Sequence, residues 1–256
     1  MRHQLVLLFA VVFAYAGAIR FTAPGADGKY CIVIDASNVT ATIKYLNQTT
    51  NVTESWTFAI NSTGNISAKC IDTFNATKAQ SITVEFLPDG SPKFVAANRT
   101  WSLRFAFTNI EKADKTFLLA DYTLQTYPNR TGFNGSPSIA RHNDLDPRLV
   151  STLYSKAATT DVQAGTENGF RCSTTRLGLT GESTINFTGL RVAAFKAYTT
   201  GDFPPEQLFE QCPLDARTSD VVPIVVGACL AGLVIVVLVA YLVGRARAQR
   251  QGYASV

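Results

Sequence analysis

Ten asparagines in this 256-residue chain stand in Asn-x-Ser/Thr triplets: Asn38, Asn47, Asn51, Asn61, Asn65, Asn75, Asn98, Asn129, Asn134 and Asn186. None has proline in the middle position. Their chemistry is acceptance of an oligosaccharide on the side-chain amide, and each occupied acceptor must face solvent because the sugar is bulky and hydrated. Ordinary composition gives on the order of one such triplet in 200 residues. Abundant turn-forming Asn and strand-forming Thr explain two or three, not ten. Seven lie between Asn38 and Asn98, so one half is more densely shielded. Four cysteines, Cys31, Cys70, Cys172 and Cys212, add a second chemistry. In an oxidising compartment an even count implies two disulfides. Four cysteines permit three pairings. The near-equal gaps of 39 and 40 residues favour Cys31 with Cys70 and Cys172 with Cys212, but spacing does not decide. A third chemistry is recognition. The chain ends Gly252-Tyr253-Ala254-Ser255-Val256, a Gly-Tyr-x-x-Φ pattern in which the ring and the apolar residue fill two pockets while the peptide lies extended along a strand edge.

Catalytic chemistry is poorly provided for. After removal of an N-terminal leader one histidine remains, His142, in a polar stretch beside Asp144 and Asp146. A solvated loop residue is the expected reading, not a Ser-His-Asp base. The two aspartates lack the rest of a calcium-binding loop. There is no His-Glu-x-x-His, Walker A or Gly-x-Ser-x-Gly pattern. The expectation is a non-enzyme with no catalytic residues, no cofactor and no metal. Charge points the same way for nucleic acid. The chain is +4 overall, but Arg2, Arg245, Arg247 and Arg250 account for that, leaving 19 basic and 19 acidic residues in 19–220. A neutral body gives no reason to expect nucleic-acid binding.

The elements that would position these groups follow from hydropathy. Arg2 and His3 precede an apolar run, Leu5 to Ala16, and Ala16-Gly17-Ala18 forms a small-x-small cleavage site, so residues 1–18 read as a signal peptide. Val221–Val243 is uncharged, has no polar face and would be about 35 Å long as a helix, enough for a hydrocarbon core of about 30 Å. Arginines follow it and place the C-terminus in the cytosol. The expected organisation is a luminal glycosylated β domain over 19–220, a transmembrane helix over 221–244 and a cytoplasmic sorting tail over 245–256. Cys229 lies inside the span as a small apolar residue. Strand-like runs fill the body: Tyr30–Asp35, Thr40–Leu46, Ser55–Ile60, Ser81–Leu87, Leu103–Thr108, Leu118–Leu124, Ser183–Phe187 and Leu190–Tyr198. Tyr127–Pro147, with three prolines and two glycines, reads as a long loop between two halves.

Several blocks of this sequence resemble the lysosome-associated membrane glycoprotein family. Gly28-Lys29-Tyr30-Cys31-Ile32 is similar to the opening strand of that family's luminal domain. Gly169-Phe170-Arg171-Cys172, followed by Leu190, Val192, Ala193, Ala194 and Phe195, is similar to a later one. The most specific block runs from Cys212 and Asp215 through Pro223, Ile224, Val226, Gly227, Leu230 and Ala231. It continues through Tyr241, Leu242, Gly244 and Arg245 to Gly252-Tyr253. The resemblance implies a β-prism-like luminal domain, the sequential disulfide pairing, and residence in lysosomes and late endosomes. It also implies that Gly252, Tyr253 and Val256 form a lysosomal sorting signal read by clathrin adaptor complexes. The chain departs from longer members in having one luminal domain and no Pro/Ser-rich hinge.

The first expected function is structural: a glycan-clad lining that protects the lysosomal membrane and supports lysosome biogenesis and integrity. Alternatives are an endosome-cycling receptor or adhesion glycoprotein, with Trp56 and Trp101 lining a groove instead of packing a core, or an accessory subunit of another membrane protein. The accessory reading draws on Gly227, Ala228, Ala231 and Gly232, whose spacing permits helix–helix association in the bilayer.

Overall fold

The computed structural model describes residues 18–47, 52–61, 64–88, 99–110, 115–127, 152–218 and 221–252. The signal-peptide segment, nearly all of the 127–147 stretch and the last four residues lie outside them. The chain divides into two units, Met1–Cys212 and Pro213–Val256.

The first unit is built from two antiparallel-dominated sheets. The larger runs β1 (Ile19–Thr22), β2 (Tyr30–Ala36), β12 (Ser183–Tyr198), β11 (Gly169–Leu179) and β13 (Phe209–Gln211), and β3 (Asn38–Asn47) joins β12 to β4 (Val52–Ala59). The smaller runs β10 (Gln163–Gly165), β8 (Thr116–Thr126), β7 (Trp101–Ile110), β6 (Thr77–Phe86) and β5 (Ile66–Phe74), with β9 (Thr152–Ser155) also on β8. The period-two pattern explains the faces. In β6 the side chains of Ile82, Val84 and Phe86 are fully buried while Glu85 between the last two is not.

The two expected strands Ser183–Phe187 and Leu190–Tyr198 are one element, β12. Its first part pairs with β3 and its second with β2, and β11 covers its other edge from Leu179↔Ser183 to Phe170↔Val192. One residue, Ser37, separates β2 from β3. Opposite it Gly189 takes φ +62°, and a Cβ there would stand 2.6 Å from Ser37 Oγ. Ser37 N donates to Thr188 O across the bend. A long strand pair therefore turns a corner at the one residue pair that combines a left-handed backbone with no side chain.

The core lies between the sheets. Trp101 of β7 meets Phe58 and Trp56 of β4 edge-on, with ring centroids 5.2 and 5.7 Å apart. These rings cement the two sheets, and Trp101 is fully buried with its Nε1 donating to Tyr127 O. Three further ties cross the gap. Cys31 of β2 is bonded to Cys70 of β5. Phe195 N of β12 donates to the buried Gln80 Oε1 of β6 at 2.8 Å. Tyr122 Oη of β8 donates to Gly178 O of β11 at 2.8 Å.

The second unit holds α1 (Pro213–Thr218) and α2 (Val221–Gly252). The stretch of α2 long and apolar enough to cross a membrane is Ile224–Arg245. The helix does not stop where the apolar residues do. It continues through the arginine-bearing spacer to Gly252, because Ala, Gln and Arg are all good helix formers.

Gly189→Val should lower the stability of the first unit by about 2–3 kcal/mol, since a β-branched residue must take a left-handed φ against Ser37. Thermal unfolding of the purified protein checks this, and an unshifted midpoint would show that the corner does not need glycine.

Candidate functional site: acceptors, disulfides and the membrane helix

The described acceptors are carried by strand ends and turns, except Asn186, which lies within β12. Asn38 opens β3 and is exposed; Asn65 precedes β5 and is exposed. Asn75 occupies the two-residue turn between β5 and β6, where Asn75 and Ala76 have φ +48° and +63°. Both positive values mark a type I′ turn, in which asparagine is favoured at the first position. Asn61 and Asn186 are half-buried, and Asn47 closes β3 opposite Val52. Asn51, Asn98, Asn129 and Asn134 lie outside the described residues, as do Tyr253 and Val256. Gly252 is the last residue of α2.

The second disulfide joins Cys172 of β11 to Cys212, the residue after β13, with Cα atoms 5.2 Å apart. Cys212 N also donates to Arg171 O at 2.9 Å, extending the parallel pairing of β13 with β11. The chain therefore leaves the first unit from a residue fixed both covalently and by the sheet. The Cys172 and Cys212 sulfurs are both spent in this bridge. Because those sulfurs are bonded to each other, they are not thiolates and cannot serve as metal ligands. His142, Asp144 and Asp146 lie outside the described residues, and so does His3, so no histidine stands among those described.

One cluster was not foreseen. Asp35 in β2 is almost fully buried on the outer face of the larger sheet, with Arg20 of β1 and Arg191 of β12 as its cross-strand neighbours. Arg191 pairs with Asp35 Oδ2, and Arg20 pairs with Asp202. The Arg191 guanidinium lies 5.6 Å from the Phe203 ring and 5.9 Å from the Phe209 ring. Phe203 and Phe209 meet edge-on at 5.1 Å, and Phe203 also packs with Tyr198 and Val33. The segment after β12 is thus strapped over the outer face by rings and one ion pair. The signal was there: a single acidic residue inside Tyr30–Ala36, an otherwise apolar run, demands a cation from a neighbouring strand. Which arginine supplies it depends on the strand order, which one sequence does not give.

Electrostatics elsewhere are local. Asp72 accepts from Ser81 Oγ at 2.6 Å, from Thr73 N and from Arg104, and these bonds hold its carboxyl below the usual carboxylate range against the opposing effect of burial. Burial pushes the Tyr154 and Tyr198 hydroxyls up to about 12; burial and then the bond to Glu54 do the same for Tyr45.

Comparison with known proteins bears on this arrangement. The family model described as "Lysosome-associated membrane glycoprotein 2, transmembrane segment" matches residues 222–254. Human lysosome-associated membrane glycoprotein 1 is 38% identical over 181 residues, 70% of this chain and 41% of the relative. The Cricetulus griseus protein of that name is 32% identical over 133 residues, 49% of this chain and 31% of the relative. The chain thus spans well under half the length of these curated relatives. The crystal structure of the membrane-proximal domain of mouse lysosome-associated membrane protein 1 superposes with a TM-score of 0.52 at 17% identity, covering 78% of this chain and 99% of that one. This chain belongs to the lysosome-associated membrane glycoprotein family. It is a single-pass type I protein of the lysosomal membrane, with α2 embedded in the bilayer and the mostly β body of that family's luminal domains.

For a family member whose body stands in the lysosome, the strap over Asp35 has an energetic consequence. Asp35 Oδ1 has no donor among the described residues, so Arg191 carries most of the compensation. Arg191→Met should lower stability by about 2–3 kcal/mol, because it strands a buried carboxylate. Asp35→Leu combined with Arg191→Met should recover most of that loss. Chemical denaturation of the two variants checks this; equal loss in both would show that the ion pair is not the cause.

Proposed function

We propose that this protein is a heavily N-glycosylated lining of the lysosomal membrane that keeps luminal hydrolases from lipid and polypeptide, and that it supports lysosome biogenesis and integrity in this way. The carrying observation is the pairing of ten acceptor triplets with a small body tied across its two sheets by a disulfide, buried hydrogen bonds and aromatic packing. Hydrated glycans at Asn38, Asn47, Asn51, Asn61, Asn65, Asn75, Asn98, Asn129, Asn134 and Asn186 deny proteases access to the surface. The cross-sheet ties suppress the local openings that cleavage needs. It is a non-enzyme in this reading and uses no cofactor.

The acid lumen suits the body. One group with a lowered carboxyl, Asp72, contributes stability that is present above the unfolded aspartate value of about 3.9 and lost only as pH falls through its lower folded value. Tyr45, Tyr154 and Tyr198 titrate far on the alkaline side. None of these groups changes charge between pH 7 and 5.

Delivery is assigned to the tail. Tyr253 and Val256 enter the two pockets of a clathrin adaptor, Gly252 allows close approach, and the helical spacer that ends α2 carries the signal clear of the lipid.

Two measurements test the proposal. Enzymatic trimming of glycans from the folded protein should shorten its survival in lysosomal protease at pH 5 several-fold; equal survival with and without glycans would defeat the shielding role. Tyr253→Ala should shift the steady-state protein from lysosomes to the cell surface, seen by surface labelling. Unchanged lysosomal staining would remove the adaptor reading.

A further inference from the structure

Six strands have a neighbour on one side only, among the described residues: β1, β4, β5, β9, β10 and β13. An unpaired edge offers a row of free N–H and C=O groups to another chain, and short edge strands are one common protection. Four of the six are three or four residues long. The other two are long, eight residues in β4 and nine in β5. Neither contains proline. The only charge in β4, Glu54, is engaged by Tyr45 Oη. β5 carries Lys69 and a bulge between Lys69 and Asp72, but the bulge turns Ile71 out to 96% exposure. Val52 at the start of β4 is 57% exposed. By the usual criteria both are edges at risk of pairing with a copy of themselves.

Five of the ten acceptor triplets bracket these two edges. Asn47 lies opposite Val52 at one end of β4, and Asn51 precedes that strand in sequence. Asn61 lies two residues beyond its other end. Asn65 immediately precedes β5, and Asn75 immediately follows it. The four short edges have no acceptor in or beside them. Turn chemistry explains an asparagine at position 75, where φ is positive, but it does not explain Thr77 or the acceptors at the opposite ends. A nine-residue strand is only about 30 Å long, so a glycan at each end has half of that to screen.

We propose that glycans bracketing β4 and β5 act as steric guards, which keep the two long sheet edges from pairing with a second copy of this chain. This rests on the glycosylation reading above and adds to it a position-specific task, distinct from protease shielding. Copies held in one membrane in one orientation meet at high local concentration, which is the condition that makes an open edge dangerous.

The test uses the full-length protein with glycans deleted through the hydroxyl residue of each triplet, so that Asn75 keeps its turn. The edge set is Thr49→Ala, Thr53→Ala, Thr63→Ala, Ser67→Ala and Thr77→Ala. The control set removes the five other acceptors through Thr40→Ala, Thr100→Ala, Thr131→Ala, Ser136→Ala and Thr188→Ala. Gel mobility before and after glycosidase counts the glycans, and cross-linking with sedimentation in detergent reads self-association. The expected result is several-fold more dimer and higher oligomer in the edge set, with the control set matching the wild type. Adding Val52→Lys and Ile71→Lys to the edge set should return it towards the wild-type distribution. Equal association in both sets, or aggregation of the edge set that the lysines do not reverse, overturns the inference while leaving glycosylation intact. Absence of any mobility change in the edge set shows those acceptors to be empty and overturns both readings.

Discussion

The structure depends on one long strand. β12 is hydrogen-bonded to β2 and β3 on one edge and to β11 on the other, so its course fixes most of the larger sheet. A straight strand of sixteen residues would be about 53 Å long and would overrun the strands of the smaller sheet, the longest of which has eleven residues. The corner at Gly189 and Ser37 prevents this. It turns β2 and β3, which are nearly continuous in sequence, so that Ile32 and Ile34 before the corner and Val39, Ala41 and Ile43 after it all join one core. The constraint is the backbone: φ +62° at position 189 favours glycine, and a Cβ there would also have to displace the Ser37 hydroxyl.

Once that face is presented, the smaller sheet must be held against it. Aromatic burial supplies most of the driving force, with Trp101, Phe86 and Phe58 in mutual contact at the interface. Burial of that kind is indifferent to small sliding. The register is set by directional contacts: the Cys31–Cys70 bond, the Gln80 side chain on Phe195 N, and the Tyr122 hydroxyl on Gly178 O. Phe195 is itself at positive φ, within the irregular stretch of the β12–β2 pairing between Ala194 and Tyr198. The bulge frees the Phe195 N–H from the sheet ladder and aims it at Gln80, a use typical of bulges.

Much of the body was legible in the sequence because its long strands alternate cleanly. Eight strand-like runs fall within β2, β3, β4, β6, β7, β8 and β12, give or take a residue at the ends, two of them merging across Gly189. A glycine there looked like a terminator, yet the partner strand bends with it and the ladder continues. β5 was hidden for a related reason. Its bulge leaves apolar Ile71 exposed next to Cys70, so the residue types of Ile66–Phe74 break the apolar–polar alternation that marks a strand in sequence. β11 was hidden by Arg171, Ser173, Thr174 and Arg176 on its solvent side, and β1, β9, β10 and β13 are too short to show a period. The outer-face strap was illegible because Asp35, Arg191 and Phe203 meet only through strand order.

The open edges and the bent strand pair have a common root. A strand pair that turns a corner divides its hydrogen-bonding partners: β12 gives its first part to β3 and its second to β2, so each of these covers only part of it. That leaves β4 as an outer strand of one sheet while β5, tied by Cys70 to β2, ends the other. Closing a barrel would remove both edges, but a bent two-sheet body with inward aromatics leaves them open. Polypeptide devices for blunting an edge, such as an inward lysine or proline, would have to be placed on strands whose inward side chains, Trp56, Phe58, Ile66 and Ala68, are already committed to the core. Carbohydrate attached beyond the strand ends screens the edge without touching those positions, and the secretory route makes it available. On this view the run of five acceptors from Asn47 to Asn75 follows from where the fold leaves its backbone unpaired.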